Sequence, residues 1–238
     1  MQLGPLDVRI LGGSDGKGGG DGPIVVLLHG FGAPGDDLVP LWRAFDVPSD
    51  VRWVFPAAPL TLPSMGFGME SRAWWMIDMF ALEEAMARGE MRDLSKTMPE
   101  GLPGARTAVL EMLDALTAEL GPAPLMLGGF SQGAMLSLDV ALHMDRPLSA
   151  LFLMSGTLLD ESVWVPRMAA RRNLPVLLSH GRQDPLLPFS LSERLREHLT
   201  AAGMAVEHVP FNGGHDIPPP VIQGLERVLL QALSGASE

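Results

Sequence analysis

The stretch that most constrains the fold is residues 125–135, which read Leu-Met-Leu-Gly-Gly-Phe-Ser-Gln-Gly-Ala-Met. A short apolar run meets two glycines, Ser131 lies between Gly129 and Gly133, and an apolar helical pattern follows. This order predicts a strand, a sharp turn and a helix, with Ser131 at the tip of the turn. The glycines fit this reading, because a side chain two residues to either side of the serine would collide with a neighbouring strand or helix.

The pentapeptide Gly-x-Ser-x-Gly is a weak signal when it is taken alone. The chain has 27 glycines in 238 residues, so a chance match is expected in about one chain in five of this composition. The alternative is an ordinary glycine turn with an exposed serine. A catalytic interpretation therefore depends on whether the rest of the chain supplies partners for Ser131.

Strand-like and helix-like patterns alternate along the chain. The predicted strands are residues 6–11, 24–28, 51–55, 125–127, 150–154, 175–179 and 206–209. A helix start is predicted over residues 36–45, and further helices are predicted over about 80–88, 106–120, 132–145, 191–202 and 221–233. This alternation predicts an α/β fold, a mostly parallel sheet with helices on both faces, in a single domain of residues 1–238.

Residues 56–104 are expected to form an excursion from this sheet. The segment is rich in proline, glycine and methionine and is too long for an ordinary connection between a strand and a helix. Such excursions often form a lid or a pocket wall near the active-site face. Trp74 and Trp75 are therefore candidates for binding substrate; the alternative is that they anchor the excursion on the core.

Composition limits the class of protein. Hydrophobic residues make up 47% and charged residues 19% of the chain, which indicates a globular protein. Residues 1–6 lack the pattern of a signal peptide, and no apolar run approaches the length of a membrane span. The chain has no cysteine, which excludes disulfides, thiolate catalysis and cysteine-ligated metals. We expect a cytoplasmic protein without a transmembrane segment.

The formal net charge of −11 argues against nucleic acid as a partner and favours a neutral small-molecule substrate. No His-Glu-x-x-His motif occurs, and no Gly-x-Gly-x-x-Gly follows a strand, so neither a metal nor a dinucleotide cofactor is expected. The sequence leaves open whether the protein forms a homodimer.

A serine nucleophile needs a base within hydrogen-bond reach, and the base needs an orienting acid. In α/β-hydrolases these residues follow the order serine, acid, histidine. His215 lies in a glycine-containing turn after the last predicted strand and is the preferred base. The other histidines are less suitable: His143 and His198 lie in helices, His208 lies in a strand, His180 precedes the acid, and His29 is expected to have a structural hydrogen-bonding role.

Asp184 is the preferred acid, because it follows the predicted strand 175–179 in a loop stiffened by two prolines. Asp160 lies further from its strand, and Asp216 is adjacent to the histidine and so points elsewhere. The structural alternative for Asp184 is a loop aspartate that caps the helix near Ser190.

The oxyanion of an acyl-transfer intermediate requires two N–H donors. A glycine-rich turn, residues 29–35, follows the buried strand 24–28. In α/β-hydrolases this loop supplies one N–H, and the residue after the serine supplies the other. We expect Phe31, or a neighbour, and Gln132 to be the two donors.

With these residues in place, the chain resembles the phospholipase/carboxylesterase family of α/β-hydrolases. The similar motifs are Leu28-His29-Gly30-Phe31-Gly32, Gly128-Gly129-Phe130-Ser131-Gln132-Gly133, His180-Gly181-x-x-Asp184-Pro185-x-x-Pro188 and Gly214-His215-Asp216-Ile217-Pro218. Arg72-Ala73-Trp74-Trp75 is similar to the tryptophan-containing segment of bacterial members. Family members often have aspartate soon after the first loop glycines, where this chain has Ala33-Pro34.

The resemblance implies a serine esterase without metal or organic cofactor, with Ser131 as nucleophile, His215 as base and acid, and Asp184 as orienting acid. It implies short to medium acyl esters as substrates. Because the loop after Gly32 and the excursion both touch the pocket and depart from the family pattern, the substrate itself is not carried over. The alternatives are a thioesterase, an acyltransferase or a lysophospholipase with the same triad, and a non-catalytic binding protein on the same scaffold.

Overall fold

The computed structural model describes residues 1–63, 70–78, 80–81, 84, 87–88 and 93–235. Its strands are β1 (Gln2–Leu3), β2 (Leu6–Gly12), β3 (Ile24–Leu28), β4 (Arg52–Pro56), β5 (Leu60–Thr61), β6 (Arg72–Ala73), β7 (Leu125–Phe130), β8 (Ala150–Met154), β9 (Pro175–Gly181) and β10 (Ala205–Phe211). The helices among these residues that have defined bounds are α1 (Leu102–Leu120), α2 (Gln132–His143), α3 (Glu161–Met168), α4 (Phe189–Ala201) and α5 (Pro219–Gly235).

Eight of the strands form one sheet in the order β1-β2-β4-β3-β7-β8-β9-β10. The pairs β1–β2 and β2–β4 are antiparallel, and every other pair in this sheet is parallel. β5 and β6 form a separate antiparallel ribbon. The prediction of a mostly parallel sheet is therefore confirmed, and its parallel strands present their carboxyl ends along one edge.

The alternation of side chains along β3 divides the core into two layers. Ile24, Val26 and Leu28 pack into one hydrophobic cluster and Val25 and Leu27 into the other, and all five are buried. The first cluster also holds apolar residues of α1, α2, α3 and α4, and the second holds those of α5. Continuous apolar strands such as β3 thus reflect burial of the sheet on both faces, as expected from the sequence.

Residues 36–45 differ from the prediction. The structure has a 3₁₀ turn over Val39–Arg43 in place of an α-helix, with Pro40 in its first positions. Leu38 and Phe45 are nevertheless buried in the second cluster. The apolar spacing correctly identified a core-facing segment, but the regular part of this segment is one short 3₁₀ turn that begins at a proline and does not continue as an α-helix.

Helix α3 is absent from the sequence prediction. Its eight residues include Pro166, and proline is unfavourable in the interior of a helix. Tertiary packing stabilises it, because Trp164 is fully buried and its indole N–H donates to Asp139 at 2.9 Å. The short antiparallel strand β1 was also not predicted, since two residues carry no periodicity.

The excursion, residues 56–104, is described only in part. Its described residues include β5 and β6, and residues 93–101 lead into α1. The helix predicted at about residues 80–88 lies largely outside the described residues. In the part of the chain that the structure describes, no helix is both long and apolar enough to cross a membrane.

Candidate active site

Ser131 stands between β7 and α2 with a backbone φ of 55° and ψ of −117°. This region is unfavourable for a residue with a side chain, so the turn holds strain. A Cβ atom added at Gly129 or at Gly133 would collide with the carbonyl oxygen of Leu28 on the neighbouring strand. The two glycines therefore allow β3 to lie directly against the turn, as the sequence predicts.

His215 and Asp184 are joined by a hydrogen bond. Asp184 follows β9 and His215 follows β10, and these strands are paired in parallel along their length. The Nδ1 of His215 lies 2.6 Å from Oδ2 of Asp184. The imidazole also packs on the ring of Phe130, the residue before Ser131, with ring centroids 4.8 Å apart.

The Asp184 carboxylate is buried and surrounded by hydrogen-bond donors. Its Oδ1 accepts bonds from the backbone N–H groups of Leu186 at 2.8 Å and Leu187 at 3.0 Å. Burial alone would raise the pKa of Asp184, but hydrogen bonds from His180, His215 and the Leu187 N–H outweigh it and hold that pKa well below its ordinary value. Asp184 is therefore a fixed anion beside His215.

Ser131 and His215 line the same cavity, which has a volume of ≈ 410 Å³. Its wall is mostly apolar and comes from six parts of the chain: the loop after β3, the excursion, the β7–α2 turn with the start of α2, and the three loops after β8, β9 and β10. The lining residues are Gly30, Phe31, Trp75, Met76, Ile77, Asp78, Leu94, Thr97, Met98, Pro99, Glu100, Phe130, Ser131, Met135, Leu159, Leu186, Leu187 and His215. The excursion thus forms a large part of the pocket.

The two tryptophans of the excursion differ in position. Trp75 lines the cavity, whereas Trp74 is absent from its wall. The indole N–H of Trp74 donates to the carbonyl of His29 at 2.9 Å, and its side chain is buried in the core. For Trp74 this placement favours the anchoring alternative, and for Trp75 it favours contact with a ligand.

The side chain of Gln132 holds both tryptophans in place. Its Oε1 accepts from the backbone N–H of Trp74 at 2.9 Å, and its Nε2 donates to the carbonyl of Trp75 at 2.8 Å. Gln132 is fully buried, so these two bonds satisfy groups that have no access to water. The residue after the serine therefore anchors the cavity wall.

The loop after β3 is fixed by His29 and by the excursion. His29 is buried; its Nε2 accepts from the N–H of Ala58 at 2.9 Å, so its Nδ1 carries the proton that is donated to the Gly30 carbonyl at 2.8 Å. This is the structural hydrogen-bonding role expected for it. Arg72 adds two backbone bonds, accepting from Gly32 at 2.8 Å and donating to Ala33 at 3.0 Å.

The N–H groups of Phe31 and Gln132 are the expected oxyanion donors. Phe31 lines the cavity, and Gln132 opens α2 directly after Ser131. Among the residues that the structure describes, neither N–H has an acceptor within hydrogen-bond distance. No described group therefore competes with an oxyanion for these two donors, and the positive end of the α2 dipole lies on the same side.

The remaining histidines have other neighbours. His143 bonds the Asp139 carbonyl, His198 contacts Glu161, and His208 lies beside Glu193. His180 lies near Asp184 and was set aside from the sequence on chain order alone. Within residues 1–63, 70–78 and 93–235, no group of three or more metal-ligating side chains is brought together.

Several supporting residues were not recognised as part of the site from the sequence. The side chain of Gln132 contacts the two tryptophans, the backbone of Arg72 contacts the loop after β3, and His180 contacts Asp184. These contacts join residues distant in the chain or depend on side-chain orientation. All three residues lie in motifs shared with the resembling family, but the motifs do not indicate the contacts.

Comparison with known proteins identifies the family of the chain. The profile of the family described as phospholipase/carboxylesterase matches residues 17–231. The acyl-protein thioesterase 1 of Emericella nidulans is 27% identical over 219 residues, which cover 86% of this chain and 88% of that protein.

The chain is also similar to solved structures. The crystal structure of esterase PE8 superposes with a TM-score of 0.75 at 28% identity, covering 95% of this chain and 99% of that one. The acyl-protein thioesterase 2 of Zea mays superposes with a TM-score of 0.72 at 23% identity, covering 95% of this chain and 99% of its own, and this likeness concerns the fold.

Proposed function

The chain belongs to the phospholipase/carboxylesterase family and is a serine hydrolase of the α/β-hydrolase class, and within that class we propose that it is a carboxylesterase. The proposed substrates are neutral carboxylic esters with short to medium acyl chains. The observation that carries the proposal is the shared cavity: Ser131 and His215 both line it, and His215 is hydrogen-bonded to Asp184.

In the proposed reaction the Ser131 hydroxyl attacks the ester carbonyl carbon while His215 accepts its proton. The tetrahedral intermediate collapses, the ester C–O bond breaks, and the imidazolium of His215 returns the proton to the departing alkoxide. Water then attacks the acyl-enzyme with His215 again acting as base, which releases the carboxylic acid and restores Ser131. Asp184 keeps the His215 Nδ1–H in place and stabilises the imidazolium.

The oxyanion is proposed to be held by the N–H groups of Phe31 and Gln132. Their loops are fixed on either side of Ser131, by His29 in one case and by the start of α2 in the other. Donors that are fixed before the reaction stabilise developing charge without reorganisation, and losing one such donor typically costs about 10²–10³ in kcat.

The charge of the cavity supports a neutral substrate. Among the described lining residues there is no lysine or arginine, and the two carboxylates in the wall are Asp78 and Glu100. A carboxylate or phosphate on the substrate would find no cation to offset its desolvation. The net charge of −11 also opposes the long-range approach of anions.

The size of the cavity supports acyl chains of limited length. Its volume of ≈ 410 Å³ is near the low end of the usual range for small-molecule pockets, which is roughly 300–1,000 Å³. Methionines at positions 98 and 135 and leucines at 159, 186 and 187 provide an apolar surface for an alkyl chain. Burying each methylene group there contributes about 0.8 kcal/mol, so affinity rises with chain length until the cavity is full.

A panel of 4-nitrophenyl esters from acetate to palmitate tests the proposal. We expect kcat/KM to rise with acyl length, reach an optimum at short to medium chains and fall beyond it. Ser131→Ala should abolish turnover while thermal unfolding shows an intact fold. Normal turnover by that variant, or an optimum at palmitate, would contradict the proposal.

A thioesterase is the second candidate, because the Emericella nidulans relative bears the name acyl-protein thioesterase 1. The same acyl-enzyme would form with a thiolate in place of an alkoxide as leaving group. Matched oxygen esters and thioesters of one acyl chain decide between the two: a kcat/KM ratio strongly favouring the thioester would replace the carboxylesterase proposal. A mechanism-based serine probe that fails to label wild-type protein would instead favour a binding protein.

A further inference from the structure

His180 is a buried histidine beside the triad acid that the reaction described above does not use. It is the penultimate residue of β9, four residues before Asp184, and has no exposed surface. Its Nε2 lies 3.0 Å from the Leu187 carbonyl and 3.3 Å from Oδ2 of Asp184. On its other side the ring contacts that of Phe189, with centroids 6.2 Å apart.

The surroundings of His180 determine which nitrogen carries the proton. A carbonyl oxygen only accepts hydrogen bonds, so the contact with Leu187 requires a proton on Nε2. Nδ1 is buried and has no hydrogen-bond partner among the described residues. A proton there would be a buried donor without a partner among the described residues, so the geometry favours the Nε2–H tautomer of His180.

The Nε2–H of His180 completes the set of donors around Asp184. Oδ1 takes the two backbone N–H groups of Leu186 and Leu187, and Oδ2 takes His215. His180 approaches the same Oδ2 from β9 at 3.3 Å, and it shares its single N–H between this oxygen and the nearer Leu187 carbonyl. With donors facing both of its oxygens, the carboxylate is held against rotation away from His215.

We propose that His180 is a positioning residue of the catalytic site: its Nε2–H holds the Asp184 carboxylate in the orientation that receives His215, and ties it to the cavity wall through the Leu187 carbonyl. This inference rests on the proposed triad. It also gives a reason for an imidazole at this core position, where Nδ1 has no hydrogen-bond partner among the described residues and an apolar ring would leave no polar atom unsatisfied.

The test compares two substitutions at this position. His180→Phe keeps a ring against Phe189 but has no donor, whereas the side-chain amide of His180→Gln can place an N–H near the Nε2 position. We expect His180→Phe to lower kcat about tenfold or more with KM changed less than about twofold, and His180→Gln to recover most of kcat. Equal activity of His180→Phe and wild type would overturn the proposal.

Two further variants separate positioning from general damage to the core. If His180 acts through Asp184, then adding His180→Phe to Asp184→Asn should lower kcat little further, because the group that it positions is already lost. Multiplicative losses would overturn the proposal. His208→Phe is the matched control: it contacts Phe189 from β10 without touching Asp184 and should leave kcat unchanged.

A measurement on the wild-type protein does not depend on how the variants fold. With ¹⁵N-labelled histidine, NMR assigns the tautomer of each imidazole and detects the strongly deshielded proton of the short His215–Asp184 bond. We expect His180 to be the Nε2–H tautomer at neutral pH and the deshielded proton to shift in His180→Phe. An Nδ1–H tautomer would overturn the proposal.

Failure of this inference and failure of the proposed function are distinguishable. An active Ser131→Ala or Asp184→Asn variant would contradict the proposed triad. If both of those variants lose activity while His180→Phe stays fully active, the proposed triad is supported and only the role of His180 is contradicted.

Discussion

Ser131 holds a backbone conformation that residues with a side chain seldom adopt, at φ 55°. Such strain costs about 1–3 kcal/mol and persists only where the surroundings impose it. Ser131→Gly relieves the strain, so we expect the free energy of unfolding to rise by about 1 kcal/mol while activity is lost. Urea denaturation measures the first effect and ester turnover the second.

The control for this prediction is Ser131→Ala, which removes the hydroxyl but keeps Cβ. It should lose activity to the same extent without the gain in stability. A glycine variant no more stable than the alanine variant would show that the turn is not strained.

The lowered pKa of Asp184 predicts how its contribution to stability depends on pH. The ordinary pKa of an aspartate is 3.8, and that of Asp184 in the folded protein is lower. Just below pH 3.8 the carboxyl group is therefore still ionised in the folded protein but binds a proton in the unfolded chain. The stability that Asp184 supplies is therefore complete above about pH 5 and is lost progressively as the pH falls below that ordinary value. Its loss is complete only below the lowered pKa of the folded state.

Asp184→Asn provides the comparison, because it cannot ionise. The difference in unfolding free energy between wild type and this variant should be constant from pH 5 to pH 7 and should shrink towards pH 2.5. A difference that does not change over this whole range would mean that the carboxylate is not stabilised by folding.

The candidate catalytic residues could be proposed from the sequence because each follows a predicted strand in a separate loop. The choice of Ser131, Asp184 and His215 needed only strand positions and chain order. The contacts of Gln132 with Trp74 and Trp75 join residues more than fifty positions apart, so no local pattern indicates them. His180 lies only four residues from Asp184, but their contact depends on side-chain orientation.

At the scale of elements, α2 and the excursion are joined through one side chain. Gln132→Leu would keep the backbone N–H but leave the Trp74 N–H and the Trp75 carbonyl buried without partners. We expect a loss of about 2–4 kcal/mol in unfolding free energy and a lower kcat, because the wall beside Ser131 loses its anchor. Chemical denaturation and ester kinetics measure the two effects.

Gln223→Leu is the control for this change, since Gln223 is exposed on α5. It should alter stability by less than about 0.5 kcal/mol. A similar small effect for Gln132→Leu would show that the two buried bonds contribute little.

Helix α2 also supplies part of the cavity wall. Met135 lies one turn after Ser131, lines the cavity and is buried. Met135→Ala enlarges the space for the acyl chain, so we expect the optimum in the ester series to move to longer chains, while Met135→Phe should move it to shorter ones. Steady-state kinetics on the graded ester panel reports both shifts.

Met112→Ala is the matched control, because Met112 is equally buried but lies on α1 away from the cavity. It should lower stability by about 2–5 kcal/mol and leave the chain-length optimum in place. An optimum that moves in both variants would indicate a general effect of core loosening.

Elements with long apolar patterns were predicted close to their observed bounds, whereas short ones were not. α1 and β8 have strong periodicity or continuous apolar character. α3 depends on the burial of Trp164 against α2, and the turn Val39–Arg43 depends on how a proline-containing segment packs on the sheet. Both outcomes are set by tertiary contacts that override local preference.

At the scale of the whole molecule, we propose that residues 1–238 form one domain, as expected from the sequence. One sheet includes strands from residue 2 to residue 211, and its two faces share all the main helices with defined bounds in the described part of the chain. The α/β-hydrolase fold predicted from the sequence is confirmed by the likeness to esterase PE8.

The net charge of −11 predicts an effect of ionic strength on substrate choice. For esters of similar size, kcat/KM for a cationic ester should fall as salt rises, that for an anionic ester should rise, and that for a neutral ester should stay constant. Kinetics between 10 mM and 500 mM salt test this. Equal responses of the three esters would show that the field of the protein does not reach the site.

The way the cavity is built has a consequence for protein engineering. The groups proposed to carry out the chemistry follow β3, β7, β9 and β10, but residues 75–78, 94 and 97–100 of the pocket wall belong to one continuous segment. In the chain, that segment lies between β4 and α1. Replacing this segment with the corresponding segment of a relative should therefore transfer the substrate specificity of that relative. The replacement would leave the proposed catalytic residues unchanged.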